Sequence, residues 1–75
     1  MGPKDKFGCR LQIHDRVLFE TVGSVRIAGK IKSFRKAMPL LSNNSTLQDV
    51  AVIEENTPTG NVEWERFTDE IQRSN

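Results

Sequence analysis

Five basic side chains lie close together in the middle of the chain and carry its clearest candidate chemistry: Arg26, Lys30, Lys32, Arg35 and Lys36. No acidic residue occurs within residues 21–48 to neutralise them locally. Clustered cations bind phosphate groups, because neutralising a phosphate releases its condensed counterions. The chain is therefore a candidate for binding nucleic acid. The alternative, which the sequence favours, is a solvated strand surface whose charges pair with acids of neighbouring strands.

A second candidate surface is apolar and lies in the long loop predicted over residues 35–48, which contains Pro39 and a polar run at 42–46. Four apolar residues interrupt this polar segment: Met38, Leu40, Leu41 and Leu47. Apolar side chains grouped on a surface mark sites of protein contact. We predict that these four residues either pack against the edge of the core or contact a protein partner.

Residues suited to catalysis or metal binding are few. His14 is the only histidine and Cys9 the only cysteine, so the sequence predicts no metal site and no nucleophile–base pair. We expect His14 to lie in a turn and Cys9 to be a small, partly buried apolar residue. The acidic side chains of residues 49–75 are expected to be solvated or ion-paired. We predict neither a cofactor nor enzymatic activity.

The length bounds the architecture, because 75 residues form at most one domain with a small core. We assign residues 1–8 to a flexible arm and residues 9–75 to a single domain. No apolar run approaches the ~20 residues that cross a bilayer. The charged N-terminal segment does not have the pattern of a secretory signal. We therefore expect a cytoplasmic protein with no membrane partner.

The composition and the alternation of apolar residues predict an all-β fold. Eleven valine and isoleucine residues and five threonines stand against three alanines, a bias typical of strands. We predict strands at 16–20, 25–34, 49–54 and 61–65 and a hairpin turn at 56–60. Gly29 marks a bend, and a bulge near Ser33 would turn Phe34 inward. The predicted core consists of Val17, Phe19, Ile27, Ile31, Val52, Val62, Trp64, Phe67 and Ile71.

The C-terminal segment allows two interpretations. Trp64, Phe67 and Ile71 have the spacing of one helix face, which would place a helix over residues 63–72. The rival is a strand through Trp64, one 3₁₀ turn and a short last strand. We favour the second, because the strand at 49–54 needs a partner after the turn at 56–60 and residues 62–64 are the only candidate.

Together these segments resemble the small SH3-like β-barrel over roughly residues 12–73. The resemblance rests on Ile-His-Asp-Arg-Val at 13–17, Ala-Gly-Lys-Ile at 28–31, Asp-Val-Ala-Val-Ile at 49–53, Val62, and Phe-Thr-Asp-Glu-Ile at 67–71. It implies a barrel of four to five antiparallel strands with one 3₁₀ turn near the C terminus. Many bacterial relatives carry glycine before Asp-Arg-Val, whereas this chain carries His14. This difference affects which turn type is expected before the first strand.

The resemblance implies a binding module without fixing its ligand, because integrase C-terminal domains, Tudor modules and KOW modules share this pattern. A small dihydrofolate reductase shares it too, but of its Val-Gln-Ile-Tyr motif only Val62 matches here, so that activity is not carried over. Solitary barrels of this size are typical of mobile-element or phage accessory proteins. We predict a non-enzymatic protein-interaction domain. Nucleic-acid binding is the alternative, and self-association through an open barrel edge is left open.

Overall fold

Five antiparallel strands and one 3₁₀ turn form the fold in the computed structural model, which describes residues 2–38 and 47–74. The strands are β1 (Arg16–Glu20), β2 (Arg26–Ala37), β3 (Gln48–Thr57), β4 (Gly60–Phe67) and β5 (Gln72–Arg73), and the 3₁₀ turn is Thr68–Glu70. They form one sheet in the order β4-β3-β2-β1-β5. The predicted all-β class and the predicted 3₁₀ turn before a short last strand are confirmed.

Strand β2 is long because two halves of the sheet share it. Its first part, up to Lys30, pairs with β1, and the part from Lys30 to Ala37 pairs with β3. Gly29 lies at the changeover, where an added Cβ would be 2.6 Å from Ile53 Cγ2 and 2.8 Å from the carbonyl oxygen of Glu54. Only glycine allows strands β2 and β3 to approach this closely.

The predicted bulge in β2 is confirmed. The register between β2 and β3 shifts between Ile31 and Ser33, so Lys32 is the extra residue. The shift turns Phe34 toward the interior, where it packs against the buried core. Strands β2 and β3 also extend into the region predicted as a loop, since Ala37 pairs with Gln48, while residues 39–46 lie outside the described part of the chain.

The core combines predicted and unpredicted residues, and its buried members are Leu11, Val17, Phe19, Ile31, Ala51, Ile53 and Ile71. Ile27 and Trp64 are half-buried and pack against it, as predicted. The prediction for Val62 is wrong, because its side chain is 40% exposed near the end of the β3–β4 hairpin. In β3, Ala51 and Ile53 face the core, so the intervening Val52 points to the other side of the sheet.

The alternative helix over residues 63–72 is wrong. Strand β4 stays paired with β3 through Phe67, which lies opposite Val50. The 3₁₀ turn then redirects the chain, and the Phe67 N–H donates to Glu70 Oε1 at 3.2 Å. The turn places Ile71 in the core, where it is fully buried. The apparent helical spacing therefore arises from a strand, a turn and the residue that follows it.

Residues 2–8, predicted as a separate arm, contact the β5 end of the sheet. Asp5 is only 6% exposed. Its Oδ1 accepts the N–H groups of Phe7 at 2.9 Å and Cys9 at 2.7 Å, and its Oδ2 accepts that of Arg73 at 2.8 Å. The Lys6 N–H also donates to the carbonyl of Ile71. Because β4 and β5 do not pair within the described residues, the sheet is open rather than a closed barrel.

Candidate binding surfaces

Three of the five predicted basic residues form ion pairs across the sheet. Lys32 Nζ lies 2.6 Å from Glu63 Oε2, and Lys36 Nζ lies 2.8 Å from Asp49 Oδ1. Arg35 donates to Glu65 Oε1 through Nε at 2.9 Å and through Nη2. All three pairs are solvent-accessible, and the hydrogen bond and charge of Glu63 raise the pKa of Lys32 above its ordinary value. Acidic side chains on β3 and β4 therefore neutralise these three cations.

The register explains why the acids lie there. Glu54 and Glu63 occupy directly opposite positions on β3 and β4, an arrangement that destabilises a sheet unless a cation intervenes. Lys32 supplies that cation, since it bonds Glu63 and interacts electrostatically with Glu54. The acidic C-terminal segment and the basic central segment thus compensate each other across the sheet.

The other two predicted basic residues, Arg26 and Lys30, form no ion pair with any residue that the structure describes. Arg26 lies opposite Glu20 on β1, and Lys30 lies between Arg16 on β1 and Glu54 on β3. The five cations therefore do not form one continuous charged stripe. The strand register places Arg16, which was not predicted as a site residue, directly opposite Lys30.

The two described members of the predicted apolar surface, Met38 and Leu47, lie at the shared end of β2 and β3. Met38 and Leu47 are each 54% exposed and flank the Ala37–Gln48 pair. Leu40 and Leu41 lie outside the described residues. Met38 and Leu47 are therefore not members of the buried core, and the two predicted roles, packing at the edge of the core and contact with a partner, both stay predictions.

A shallow groove of about 530 Å³ adjoins this end of the sheet. Val50 and Phe67, which are directly opposite one another, line it together with Met38. The ion-paired Arg35 and Glu65 also line it. Val50 is buried but lies outside the main core cluster, on the opposite face of the sheet from Ala51. The groove was not predicted, because a continuous apolar run in β3 does not reveal which residue faces which side.

An aromatic cluster covers the interior side near β4. The rings of Phe19 and Trp64 meet edge to face with centroids 5.6 Å apart. The guanidinium carbon of Arg66 lies 5.2 Å from each ring centroid, and the Trp64 Nε1–H donates to Glu55 Oε1 at 3.1 Å. Trp64 therefore serves the packing of the domain, with its polar group satisfied.

His14 lies in a turn, as predicted, and Cys9 is exposed, so its predicted partial burial is wrong. The backbone φ of His14 is 77°, the left-handed region that favours glycine. Asp15 follows directly after this turn, and its Oδ2 accepts a hydrogen bond from the Gln12 N–H at 2.8 Å. Within residues 2–38 and 47–74, no three histidine, cysteine, aspartate or glutamate side chains group as a metal site would require.

Comparisons with protein-family models, with curated proteins and with solved structures gave no match. No helix in the described part of the chain is long and apolar enough to span a membrane.

Proposed function

We propose that this chain is a small, non-enzymatic protein-interaction module of the SH3-like kind. Its partner surface is the shared end of β2 and β3 with Met38 and Leu47, while the predicted contact residues Leu40 and Leu41 lie outside the described residues. The strand order and the 3₁₀ turn before β5 support the SH3-like assignment. The lone cysteine supports a cytoplasmic location, since it provides no intrachain disulfide.

The observation that carries the proposal is the exposure of Met38 and Leu47, each 54%, next to the Ala37–Gln48 pair, with Met38 also lining the Val50–Phe67 groove. Exposed apolar residues scattered singly are ordinary on a protein surface. Apolar residues that cluster beside an apolar groove instead mark a contact site. Arg35 and Glu65 would border such a contact with polar groups, as is typical of an interface rim.

The test is site-specific photo-crosslinking in extract of the source cells. A crosslinking residue is placed at Met38 or Leu47 and, as the matched control, at Val22, which is 98% exposed in a loop away from the groove. We expect one protein to be labelled from positions 38 and 47 but not from 22. Labelling should survive nuclease and added salt, and it should be lost in a Leu40→Ser/Leu41→Ser variant. Equal labelling from all three positions would contradict the proposal.

Nucleic-acid binding is the second candidate function, supported by Arg16, Arg26 and Lys30, which form no ion pair within the described residues. It predicts binding of oligonucleotides that falls steeply with salt. Fluorescence anisotropy at about 50 mM salt is the measurement. Glu63→Gln with Glu65→Gln should strengthen any such binding, because Lys32 and Arg35 lose their acidic partners. If neither the wild type nor the Glu63→Gln/Glu65→Gln variant binds an oligonucleotide, protein interaction is the one candidate function that remains.

A further inference from the structure

A cleft opens where β2 separates from β3. Lys30 and Glu54 form the last pair between these strands. Upstream of Lys30, strand β2 pairs with β1, and beyond Glu54 strand β3 pairs only with β4. The resulting cleft has a volume of about 420 Å³, which falls within the range of small-molecule sites. It is independent of the Met38–Leu47 surface.

The polar side chains that β1, β2 and β3 contribute to this cleft point away from the core. Val17, Ile31 and Ile53 face the core, so their strand neighbours project to the opposite side of the sheet. Those neighbours include the cleft-lining residues Arg16, Lys30 and Glu54, and Asn56 and Ser74 add polar groups. The cleft is therefore lined by hydrogen-bonding side chains on the solvent side of the sheet.

Two cations face one another here, and Lys30 also lies opposite Glu54 on β3. Arg16 and Lys30 are directly opposite on β1 and β2, and like charges in this position destabilise a sheet. Neither forms an ion pair within the described residues. The nearest acid in sequence, Asp15, already bonds Arg73 Nε at 3.4 Å and the Gln12 N–H at 2.8 Å. A bound anion would remove the repulsion.

We propose that this cleft binds a small phosphate monoester that carries hydroxyl groups, such as a sugar phosphate. The guanidinium of Arg16 offers a planar pair of donors to phosphate oxygens, and the ammonium of Lys30 adds a point charge. The carboxylate of Glu54 only accepts hydrogen bonds. It repels phosphate but accepts from the hydroxyl groups of the same ligand, and the amide of Asn56 both donates and accepts.

The first experiment is an NMR titration of the full chain with inorganic phosphate, ribose 5-phosphate and ribose at about 50 mM salt. We expect ribose 5-phosphate to bind more tightly than inorganic phosphate, and ribose alone not to bind. Arg16→Gln and Lys30→Gln should each weaken the binding of ribose 5-phosphate roughly tenfold. The matched control is Arg26→Gln, which removes a cation of β2 outside the cleft and should change the affinity less than about twofold.

The second experiment separates the two parts of the ligand. Glu54→Gln should strengthen the binding of inorganic phosphate, because the repulsion is removed, and should reduce the preference for ribose 5-phosphate over phosphate. The proposal is overturned if no ligand saturates. It is also overturned if Arg26→Gln acts as strongly as Arg16→Gln, or if an oligonucleotide occupies the Arg16–Lys30 pair more tightly than ribose 5-phosphate does.

Discussion

Asp5 and Arg73 join the two ends of the described chain, since the Arg73 N–H donates to Asp5 Oδ2 at 2.8 Å across 68 residues of sequence. The same carboxylate holds the N–H groups of Phe7 and Cys9. One side chain thus fixes the N-terminal segment against β5. Burial raises the pKa of Asp5, but the three backbone hydrogen bonds and the charge of Arg73 outweigh it, so the pKa is lowered overall.

Replacing Asp5 should reveal this link. Asp5→Ala leaves three backbone donors without their partner and should cost about 2–4 kcal/mol in the free energy of unfolding. Asp5→Asn keeps an oxygen for Phe7 and Cys9 but cannot accept from Arg73, so it should cost about 1–2 kcal/mol. Urea denaturation followed by Trp64 fluorescence measures both. Equal costs for the two variants would show that the Phe7 and Cys9 bonds contribute nothing, whereas an unchanged stability in Asp5→Asn would show that the Arg73 bond contributes nothing.

Stability should fall in acid through the same group. A carboxyl whose folded-state pKa is lowered contributes its full stabilisation above the ordinary value of about 4, and this is lost as the pH falls through the folded-state pKa. Urea midpoints measured from neutral pH down to about pH 3 should therefore decline for the wild type. Asp5→Asn should flatten that decline. An unchanged acid slope in this variant would assign the pH dependence to other carboxylates.

Gly29 should not tolerate a side chain. In Gly29→Ala the new Cβ would meet Ile53 Cγ2 at 2.6 Å and the carbonyl oxygen of Glu54 at 2.8 Å, so we expect a loss of about 1–3 kcal/mol or more. Because the second contact is with backbone, no substitution at Ile53 should recover the loss. Gly2→Ala is the control, as its nearest neighbour would be 3.6 Å away. Thermal denaturation of the variants checks this, and equal melting temperatures would contradict it.

His14 occupies a backbone conformation that suits glycine, with φ at 77°. His14→Gly removes this strain at some cost in unfolded-chain entropy, so it should be neutral or stabilise by up to about 1 kcal/mol. His14→Val should destabilise, because a β-branched side chain fits this region poorly. Ser24, with φ at 62°, provides a second test in a different turn. A marked loss of stability in His14→Gly would mean that the imidazole itself supports the fold.

Phe19 and Trp64 should differ in their contribution to stability, although they touch. Phe19 is 3% exposed, and Phe19→Ala should cost about 3–5 kcal/mol, most of what a domain of this size has. Trp64 is half-buried, so Trp64→Ala should cost less and leave a folded protein with a lower melting temperature. NMR spectra distinguish the two outcomes. A well-dispersed spectrum for Phe19→Ala would show that the core tolerates this cavity.

The sequence predicted the faces of β1 and the bulge in β2, because alternation is clear where one face is polar. It failed in β3, where Val50 and Val52 lie on one side and Ala51 and Ile53 on the other, so that no alternation remains to set the phase. The pairing of Lys32 with Glu63 could not be predicted from the sequence either. That contact depends on the register across three strands, which residue spacing along one strand does not reveal.

The two terminal strands of the sheet differ in what they offer to another chain. The N-terminal segment covers β5 through Asp5 and Lys6, whereas no described strand pairs with the outer edge of β4. If two copies joined through their β4 edges, each would use its one uncovered terminal strand and leave none for a third. Assembly by that route would stop at a twofold pair, and polymerisation into fibrils through the sheet ends would be blocked by the N-terminal segment at Asp5 and Lys6.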